Sequence, residues 1–256
     1  MSLLSVSHLA QSYVDPYSGD VTQAIGDVSL EIAEGEFVAL LGPSGCGKTT
    51  VLNIVAGFIE PTSGDVLVSG STVAGPGPDR GVVFQDFALF PWLTVEANIA
   101  FGLKMQGVGK AERRRRAVEM LDLVGLGGFG AKYPHELSGG MRQRAGVARV
   151  LVTDPTMMLM DEPFASIDAQ TRRVLQQEVL RIWSSEKPTV LFVTHDVEEA
   201  IFMSDRVIVL SGRPSTVAAD ITVPLERPRS WRDVQADPRF LELRDELLGM
   251  LGVEAA

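Results

Sequence analysis

The segment Gly42–Thr50 has residue types and spacing that suit the binding of phosphate groups. It ends in Gly-Lys-Thr-Thr and follows an apolar run that stops at Leu41. Glycines let backbone N–H groups turn towards an anion, and a helix starting at about Lys48 would add the partial positive charge of its N-terminus. Lys48 can neutralise phosphate charge, and the Thr49 hydroxyl suits Mg²⁺. The predicted phosphate ligands are Gly42, Pro43, Ser44, Gly45, Cys46, Gly47, Lys48, Thr49 and Thr50, with Cys46 expected to be a small loop residue and not a redox centre.

Two acidic residues, Asp161 and Glu162, follow the apolar run Met157–Met160. A buried carboxylate is costly unless a cation or a metal compensates it, so Asp161 is a candidate partner of Mg²⁺. Glu162 could polarise an attacking water, and general-base help of this kind is worth about 10²–10⁴-fold in rate. The alternative is a pair of acids that only caps a loop.

A second candidate anion site lies at Ser138, Gly139 and Gly140, before a predicted helix over 141–152. Serine is a good helix N-cap, and the two glycines leave backbone N–H groups bare at the start of the helix. The segment lacks a lysine or metal ligand of its own. Such a half-site makes sense if it meets a nucleotide that a second copy of the chain holds, whereas the motif taken alone also fits a plain capped helix.

Four short apolar runs, each ending in polar or glycine residues, predict the buried parallel strands of an α/β sheet. Ligands bind beyond the carboxyl ends of such strands, so we expect one shared site there. The runs cover 37–41, 82–84, 157–160 and 190–193.

The remaining chain predicts two additions to this core. Alternation of apolar and polar residues over 3–14, 28–32 and 64–68 favours antiparallel strands on one flank. Helical patterns over 95–105 and 111–124 favour an inserted helical lobe, and 233–251 reads as an amphipathic C-terminal helix. The predicted divisions are a core over 1–93 and 153–230, a helical lobe over 94–152, and a C-terminal helix over 231–256.

Composition limits the classes of partner. The 256 residues carry 33 acidic and 23 basic side chains, a net charge of −10, which disfavours nucleic acid. The run Arg113–Arg116 is therefore interpreted as a solvated helix face. The single cysteine favours a reducing compartment, and we expect neither a signal peptide nor a membrane span, because no apolar run reaches about 18–20 residues. A membrane process would need another chain to supply the spans.

Leu137-Ser-Gly-Gly140, together with the phosphate segment and the acidic pair, resembles the signature of the ABC transporter ATPases. The resemblance implies a P-loop NTPase core that binds ATP and Mg²⁺. It implies that Gln85 contacts Mg²⁺ and the attacking water, that His195 lies near the γ-phosphate, and that Ser166–Asp168 crosses a dimer interface. It also implies that an aromatic side chain stacks on adenine, for which Tyr13 is the candidate and Tyr17 a rival. The implied Mg²⁺ ligands are Thr49, Gln85 and Asp161.

The chain departs from the family pattern at Met141, where glutamine is usual, and at Ser166, where a smaller residue is usual. Neither position supplies a catalytic group, so we expect an altered rate or coupling at most.

Several segments resemble the ATP-binding subunits of nitrate, sulfonate and taurine importers, and 236–240 is closer to the taurine branch. The resemblance implies an ATP-sandwich homodimer beneath a permease dimer on the cytoplasmic face of the cell membrane, served by an extracytoplasmic substrate-binding protein. Alternatives are the same role for nitrate or another small substrate, a soluble ABC ATPase without a transport role, and a phosphotransferase. The other resembling segments are 78–86, 89–94, 98–103 and 194–203.

An apolar cluster after Gln85 is a candidate contact for the permease, because exposed apolar patches commonly mark interfaces. Packing between the core and the helical lobe is the alternative. The cluster comprises Phe87, Leu89, Phe90, Pro91 and Trp92.

Overall fold

The computed structural model describes residues 2–85, 88–165 and 167–252. Phe87 of the apolar cluster and Ser166 lie outside these residues. The chain forms two compact units, one from the residues up to Gly77 together with those from Pro188 onward, the other from Pro78–Lys187. The predicted division into core, helical lobe and C-terminal helix has different bounds and stays a prediction.

Strands predominate up to residue 83, helices follow up to residue 151, and strands then alternate with helices from residue 157 to residue 210. The strands are β1 Ser2–Val14, β2 Val21–Ala33, β3 Phe37–Leu41, β4 Ser63–Val68, β5 Ser71–Thr72, β6 Arg80–Val83, β7 Met157–Asp161, β8 Thr189–Val193, β9 Arg206–Leu210 and β10 Ser215–Thr222. The helices are α1 Lys48–Val55, α2 Val95–Ile99, α3 Phe101–Met105, α4 Lys110–Leu123, α5 Gly139–Leu151, α6 Ala169–Glu186, α7 Val197–Met203, α8 Trp231–Ala236 and α9 Pro238–Met250, with a short 3-10 helix at Pro134–Glu136.

The first unit contains a sheet in the order β5-β4-β1-β2-β10-β9-β3-β8. Its N-terminal flank is antiparallel, as predicted, because β1 pairs with β2 on one side and with β4 on the other. β2 begins at Val21, earlier than predicted, because its first three residues are exposed and lack the alternation that marks the rest of the strand.

Parallel strands occupy the other end of this sheet. β3 pairs in parallel with both β8 and β9, and every residue of β3 and β8 is buried. Phe37 and Phe192 meet edge to face across this pair, with 5.9 Å between their ring centroids. The predicted strands at 37–41 and 190–193 are therefore present, and their carboxyl ends lie side by side.

The second unit combines the parallel pair β6 and β7 with helices α2 to α6. The helix predicted over 95–105 is divided at Ala100 into α2 and α3. Thr94 caps the first of these by accepting a hydrogen bond from the backbone N–H of Ala97 at 3.2 Å.

The arginine run on α4 is occupied by contacts within the unit. Arg115 pairs with Glu112 and Glu119, and Arg114 lies 3.4 Å from a carboxylate oxygen of Glu96. Arg113 and Arg116 donate to backbone carbonyls at 3.3 and 2.9 Å. Two of the four guanidinium groups are thus paired with carboxylates, and the other two with backbone carbonyls.

The C-terminal segment packs on α7. The buried Arg229 donates to the carbonyl oxygens of Ile201, Phe202 and Ser204 at 2.7–3.0 Å. Trp231 stacks on Phe202 with 4.1 Å between ring centroids. Burial lowers the pKa of Arg229 to about 10, which still leaves the guanidinium protonated at neutral pH. The segment thus caps the carboxyl end of α7.

The helix predicted over 233–251 is two helices, α8 and α9. Pro238 disfavours helical geometry at the residue before it, and Asp237 instead caps α9. None of the helices among the described residues is long and apolar enough to cross a lipid bilayer.

Candidate functional site

The phosphate loop connects β3 to α1, as the sequence predicts. Gly47 precedes α1 with φ of 104°. No side chain caps the helix, so the first N–H groups of α1 have no side-chain acceptor. A Cβ on Gly42 would lie 2.8 Å from the Sγ of Cys46 and 3.0 Å from the carbonyl oxygen of Leu210, so any larger residue would be crowded there. The loop therefore has the bare backbone that anion binding requires.

Lys48 folds back across the loop. Its Nζ donates to the carbonyl oxygens of Gly42 and Pro43 at 2.8 and 3.0 Å, and the residue is only 5% exposed. Cys46 is buried beneath it, in line with its expected role as a small loop residue. The cationic group is thus held at the mouth of the loop by backbone acceptors.

Tyr13 lies beside the loop, whereas Tyr17 stands on the hairpin turn. The Tyr13 hydroxyl is 3.5 Å from the hydroxyl oxygen of Thr50, and 42% of the residue is exposed. Tyr17 is 98% exposed. The geometry favours Tyr13 as the aromatic nearest to a nucleotide on the loop, although its stacking on adenine stays a prediction.

The turn between β9 and β10 contributes a cation that sequence reasoning missed. A Cβ placed on Gly45 would lie 3.8 Å from Nη2 of Arg213, and the Arg213 side chain is exposed. Ser215, the first residue of β10, is buried and donates to the carbonyl oxygen of Ala24 at 3.2 Å. Residue type alone does not reveal this neighbour, because the turn is distant in sequence from the loop.

His195 follows β8, the parallel neighbour of β3, and is exposed. Thr194 and Asp196 on either side of it are tied to α7. The Thr194 hydroxyl donates to the carboxylate of Glu199 and accepts from the backbone N–H of Asp196, while Asp196 caps α7 by accepting from the N–H of Glu199 at 3.0 Å. The backbone that carries His195 is thereby fixed on both sides.

In the second unit, Gln85 and the acidic pair follow the parallel neighbours β6 and β7. Asp161 is the last residue of β7 and is half-buried, and Gln85 is exposed. Glu162 has φ of 44°, in the left-handed region that non-glycine residues seldom occupy. Strained backbone of this kind clusters at functional sites, where the surroundings hold it in place.

The Ser138 segment starts α5 as predicted. The Ser138 hydroxyl accepts from the backbone N–H of Met141 at 3.3 Å, and no acidic side chain lies in the first turn. A Cβ on Gly139 would meet open space, whereas one on Gly140 would lie 3.3 Å from Leu175. The N-terminus of α5 is thus open on the side of Gly139, which suits an anion.

Gln143 joins α5 to Pro163, the residue that follows the acidic pair. It is fully buried, and its Nε2 donates to the carbonyl oxygen of Pro163 at 3.0 Å. Sequence reasoning missed this residue. The signal that could have found it is a polar side chain on the apolar face that also carries Val147 and Val150.

The described part of the apolar cluster borders a groove of about 350 Å³. Phe90 lies against Phe101, with 4.6 Å between centroids, and under the guanidinium of Arg149 at 5.5 Å. Burial lowers the pKa of Arg149, whose side chain also donates to the carbonyl oxygen of Ala88. Trp92 is 71% exposed. An apolar surface next to Gln85 is therefore available in this unit.

Asn98 organises the loop that borders the groove. It is fully buried, accepts from the N–H of Phe90 at 2.7 Å, and donates to the carbonyls of Phe90, Leu93 and Thr94 at 3.0–3.1 Å. The sequence marks it only as a polar residue within an apolar helix.

The predicted site residues are shared between the two units. The phosphate loop, Tyr13 and His195 belong to the first, whereas Gln85, the acidic pair and the Ser138 segment belong to the second. Each unit brings together the residues at the ends of its own parallel strands. The meeting of all four strand ends at one nucleotide stays a prediction. Among the described residues, no three His, Cys, Asp or Glu side chains cluster as a metal site.

The family model for ABC transporters matches residues 25–165. The chain belongs to the ABC transporter family. An uncharacterized ABC transporter ATP-binding protein of Methanocaldococcus jannaschii is 49% identical to this ABC protein, over 97% of this chain and 91% of the relative. The taurine import ATP-binding protein of Roseobacter denitrificans is 44% identical, over 98% and 94% of the two chains.

Solved structures agree with the fold. A dimeric bacterial ABC transporter cassette matches with a TM-score of 0.75 at 31% identity, covering 87% of this chain and all, 100%, of the other. A dimeric ATP-binding cassette in a post-hydrolysis state, bound to ADP and Pi, matches with a TM-score of 0.74. These matches confirm the predicted P-loop NTPase fold, the resemblance to the taurine group of ABC ATP-binding subunits, and the assignment of the chain as an ABC ATPase.

Proposed function

We propose that this ABC ATPase energises the import of a small anionic nutrient, with taurine or another alkanesulfonate as the favoured cargo. The observation that carries the proposal is an identity of 43–44% with several taurine import ATP-binding proteins, over 97–98% of this chain. Cargo selection belongs to the binding protein and permease of such a system, so the cargo is inferred from relatives and not from a pocket in this chain.

The first unit supplies the phosphate ligands and the adenine contact in this proposal. The bare loop amides and Lys48 bind the phosphates, and Tyr13 stacks on adenine. His195 contacts the γ-phosphate. Support comes from the open N-terminus of α1 and from the position of His195 beside the loop-bearing strand.

Mg²⁺ fits the residues available for it. Thr49, Gln85 and Asp161 offer a hydroxyl, an amide and a carboxylate, the hard oxygen donors that this ion takes alongside water and phosphate oxygens. Bound there, Mg²⁺ would neutralise charge on the phosphates.

Glu162 polarises the attacking water in the proposed reaction. Its strained backbone at the end of β7 supports this role, since such conformations persist where a side chain must be aimed. Removing general-base help costs about 10²–10⁴-fold in rate, so Glu162→Gln should bind ATP and scarcely hydrolyse it.

Two copies are proposed to sandwich two ATP molecules, each held by the Lys48 loop of one copy and the Ser138 segment of the other. The half-site character of Ser138–Gly140 supports this arrangement, as do the dimeric cassettes among similar structures. Closure of the dimer would move the permease, and ATP hydrolysis would then release the dimer. In light scattering, Glu162→Gln with ATP should be dimeric; a monomer would contradict the sandwich.

The groove beside Phe90 is proposed to receive a cytoplasmic segment of the permease. Its apolar lining and the exposed Trp92 support a protein contact. The subunit would then lie at the cytoplasmic face of the cell membrane, with an extracytoplasmic binding protein delivering cargo to the permease. A folded Phe90→Asp/Trp92→Asp variant should hydrolyse ATP but fail to co-purify with the permease; retained co-purification would contradict this contact.

Uptake of labelled taurine tests the whole proposal. Cells carrying the intact chain or Glu162→Gln would be compared, with nitrate and alkanesulfonates as competitors. Loss of uptake in the variant, with competition by sulfonates alone, is the expected result. Unchanged taurine uptake would exclude this cargo and direct the same assay to nitrate and other small anions.

A further inference from the structure

Gln143 lies on the buried face of α5, the helix that begins at Ser138. It is 0% exposed, and its Nε2 donates to the carbonyl oxygen of Pro163 at 3.0 Å. Its Oε1 is buried and has no hydrogen-bond partner among the described residues. The amide therefore uses its donor and leaves its acceptor unsatisfied.

This arrangement is poor for stability alone. A buried acceptor without a donor loses its hydration without compensation, whereas an apolar side chain of similar volume would fill the space without that cost. Buried unsatisfied groups in native proteins call for an explanation beyond packing. Of the two polar groups of this amide, the one that stabilises the fold is the Nε2 donor, through its hydrogen bond to Pro163.

Pro163 directly follows Glu162, whose φ is 44°. A left-handed backbone at such a residue persists only when its neighbours hold it. On the far side of the turn, Ala165 donates to the carbonyl oxygen of Glu162 at 3.1 Å, and Phe164 is anchored in the core at 1% exposure. Gln143, on α5, restrains the same turn through its hydrogen bond to Pro163, the residue that follows Glu162.

We infer that Gln143 is a positioning residue that holds the loop of Glu162 in its productive conformation and joins it to the signature end of α5. The inference rests on the proposed role of Glu162. Because a helix moves as a body, a change at Ser138 reaches the loop through this side chain. One buried hydrogen bond thereby links α5, which begins at the Ser138 segment, to the loop that carries Glu162.

The test is steady-state ATP hydrolysis by Gln143→Met, a substitution of similar volume that removes the donor. Loss of one hydrogen bond that orients the loop should lower kcat roughly ten-fold while the KM for ATP stays within about two-fold. The melting temperature should stay within about 2 °C, since the unsatisfied acceptor is removed as well. Gln143→Asn, one methylene shorter, should lose activity similarly.

Arg144→Met is the matched control. Arg144 lies next to Gln143 on α5 and donates to the carbonyl oxygen of Val124 at 3.0 Å, away from the Glu162 loop. Its loss should lower the melting temperature and leave kcat near that of the unmodified chain. A structural role for Gln143 would instead make the two variants alike.

A double-mutant cycle decides whether Gln143 acts through Glu162. In the Glu162→Gln background, Gln143→Met should change the residual rate by less than about two-fold. An equal loss in both backgrounds, or full activity of Gln143→Met beside an inactive Glu162→Gln, would overturn the inference alone. Hydrolysis by Glu162→Gln at the normal rate would overturn the proposed role of Glu162, and the inference with it.

Discussion

Glycine at position 162 should give a more stable protein than alanine does, while both substitutions greatly reduce ATP hydrolysis. Glu162 has φ of 44°, and the left-handed region costs a residue with a Cβ about 1–2 kcal/mol. Glycine escapes that cost, but it loses more backbone entropy on folding, about 0.5–1 kcal/mol relative to alanine. Glu162→Gly should therefore be more stable than Glu162→Ala by about 0.5–1 kcal/mol.

The size of the effect on melting follows from the length of the chain. With 256 residues and about 2.1 cal/mol/K per residue, 1 kcal/mol corresponds to about 2 °C. Glu162→Gly should thus melt about 1–2 °C above Glu162→Ala in scanning calorimetry without nucleotide. Both variants lose the carboxylate and its contacts, so the difference between their melting temperatures reports the effect of the backbone conformation. Hydrolysis should fall about 10²–10⁴-fold in both.

Lys187 provides the matched control, because its φ is nearly the same as that of Glu162 and no catalytic role is proposed for it. It ends α6 with φ of 47° and ψ of 46°, and its side chain is exposed. Lys187→Gly should melt above Lys187→Ala by a similar margin and hydrolyse ATP normally. If this pair behaves as expected while Glu162→Gly melts at or below Glu162→Ala, position 162 does not store backbone strain, and strain does not support a catalytic role for Glu162.

Three further outcomes follow from particular contacts. Asn98→Ala should cost about 2–4 kcal/mol by denaturant unfolding, because its four hydrogen bonds hold the loop beside the groove; a cost below about 1 kcal/mol would contradict this. Arg229→Met should lower the melting temperature by roughly 4–8 °C, because two carbonyls of α7 and that of its C-cap, Ser204, lose their donor. Arg232 is exposed, so Arg232→Met should change the melting temperature little. The backbone N–H of Thr171 lowers the pKa of Asp168, so this helix cap stabilises the fold above the ordinary pKa of the carboxyl and is lost as the pH falls through the lowered value. Asp168→Asn keeps a cap that does not titrate, so its melting temperature relative to the unmodified chain should rise between about pH 6 and pH 3; a constant difference would contradict the cause given for the shift.

The features that were predictable from sequence depend on local pattern. The phosphate loop was predictable because a buried strand, glycine spacing and Lys48 are consecutive in the chain. The cap at Ser138 was predictable for the same reason, although α5 begins at Gly139, two residues before the predicted start. Antiparallel pairing of β1 with β2 and β4 followed from alternation that one exposed face imposes.

Boundaries were less predictable where two physical preferences compete. The segment 95–105 is apolar enough to read as one helix, yet it is divided at Ala100. Pro238 likewise divides the tail into two helices, because the residue before a proline avoids helical geometry. Neither difference moves a predicted site residue.

Several contacts depend on tertiary structure because their partners are far apart in sequence. Gln143 reaches Pro163 across 20 positions, and Arg229 reaches Ile201 across 28. Residue type predicts that a buried amide or guanidinium must find acceptors, but it does not say which carbonyls those will be. The left-handed backbone of Glu162 was also not predictable, because the residue types of Asp161, Glu162 and Pro163 do not indicate it. The sequence by itself determined the chemistry of the site, because bare amides, a lysine and two carboxylates are properties of residue type and spacing. Only the tertiary structure decided how Glu162 is held, because that depends on which buried groups the fold brings within hydrogen-bonding distance.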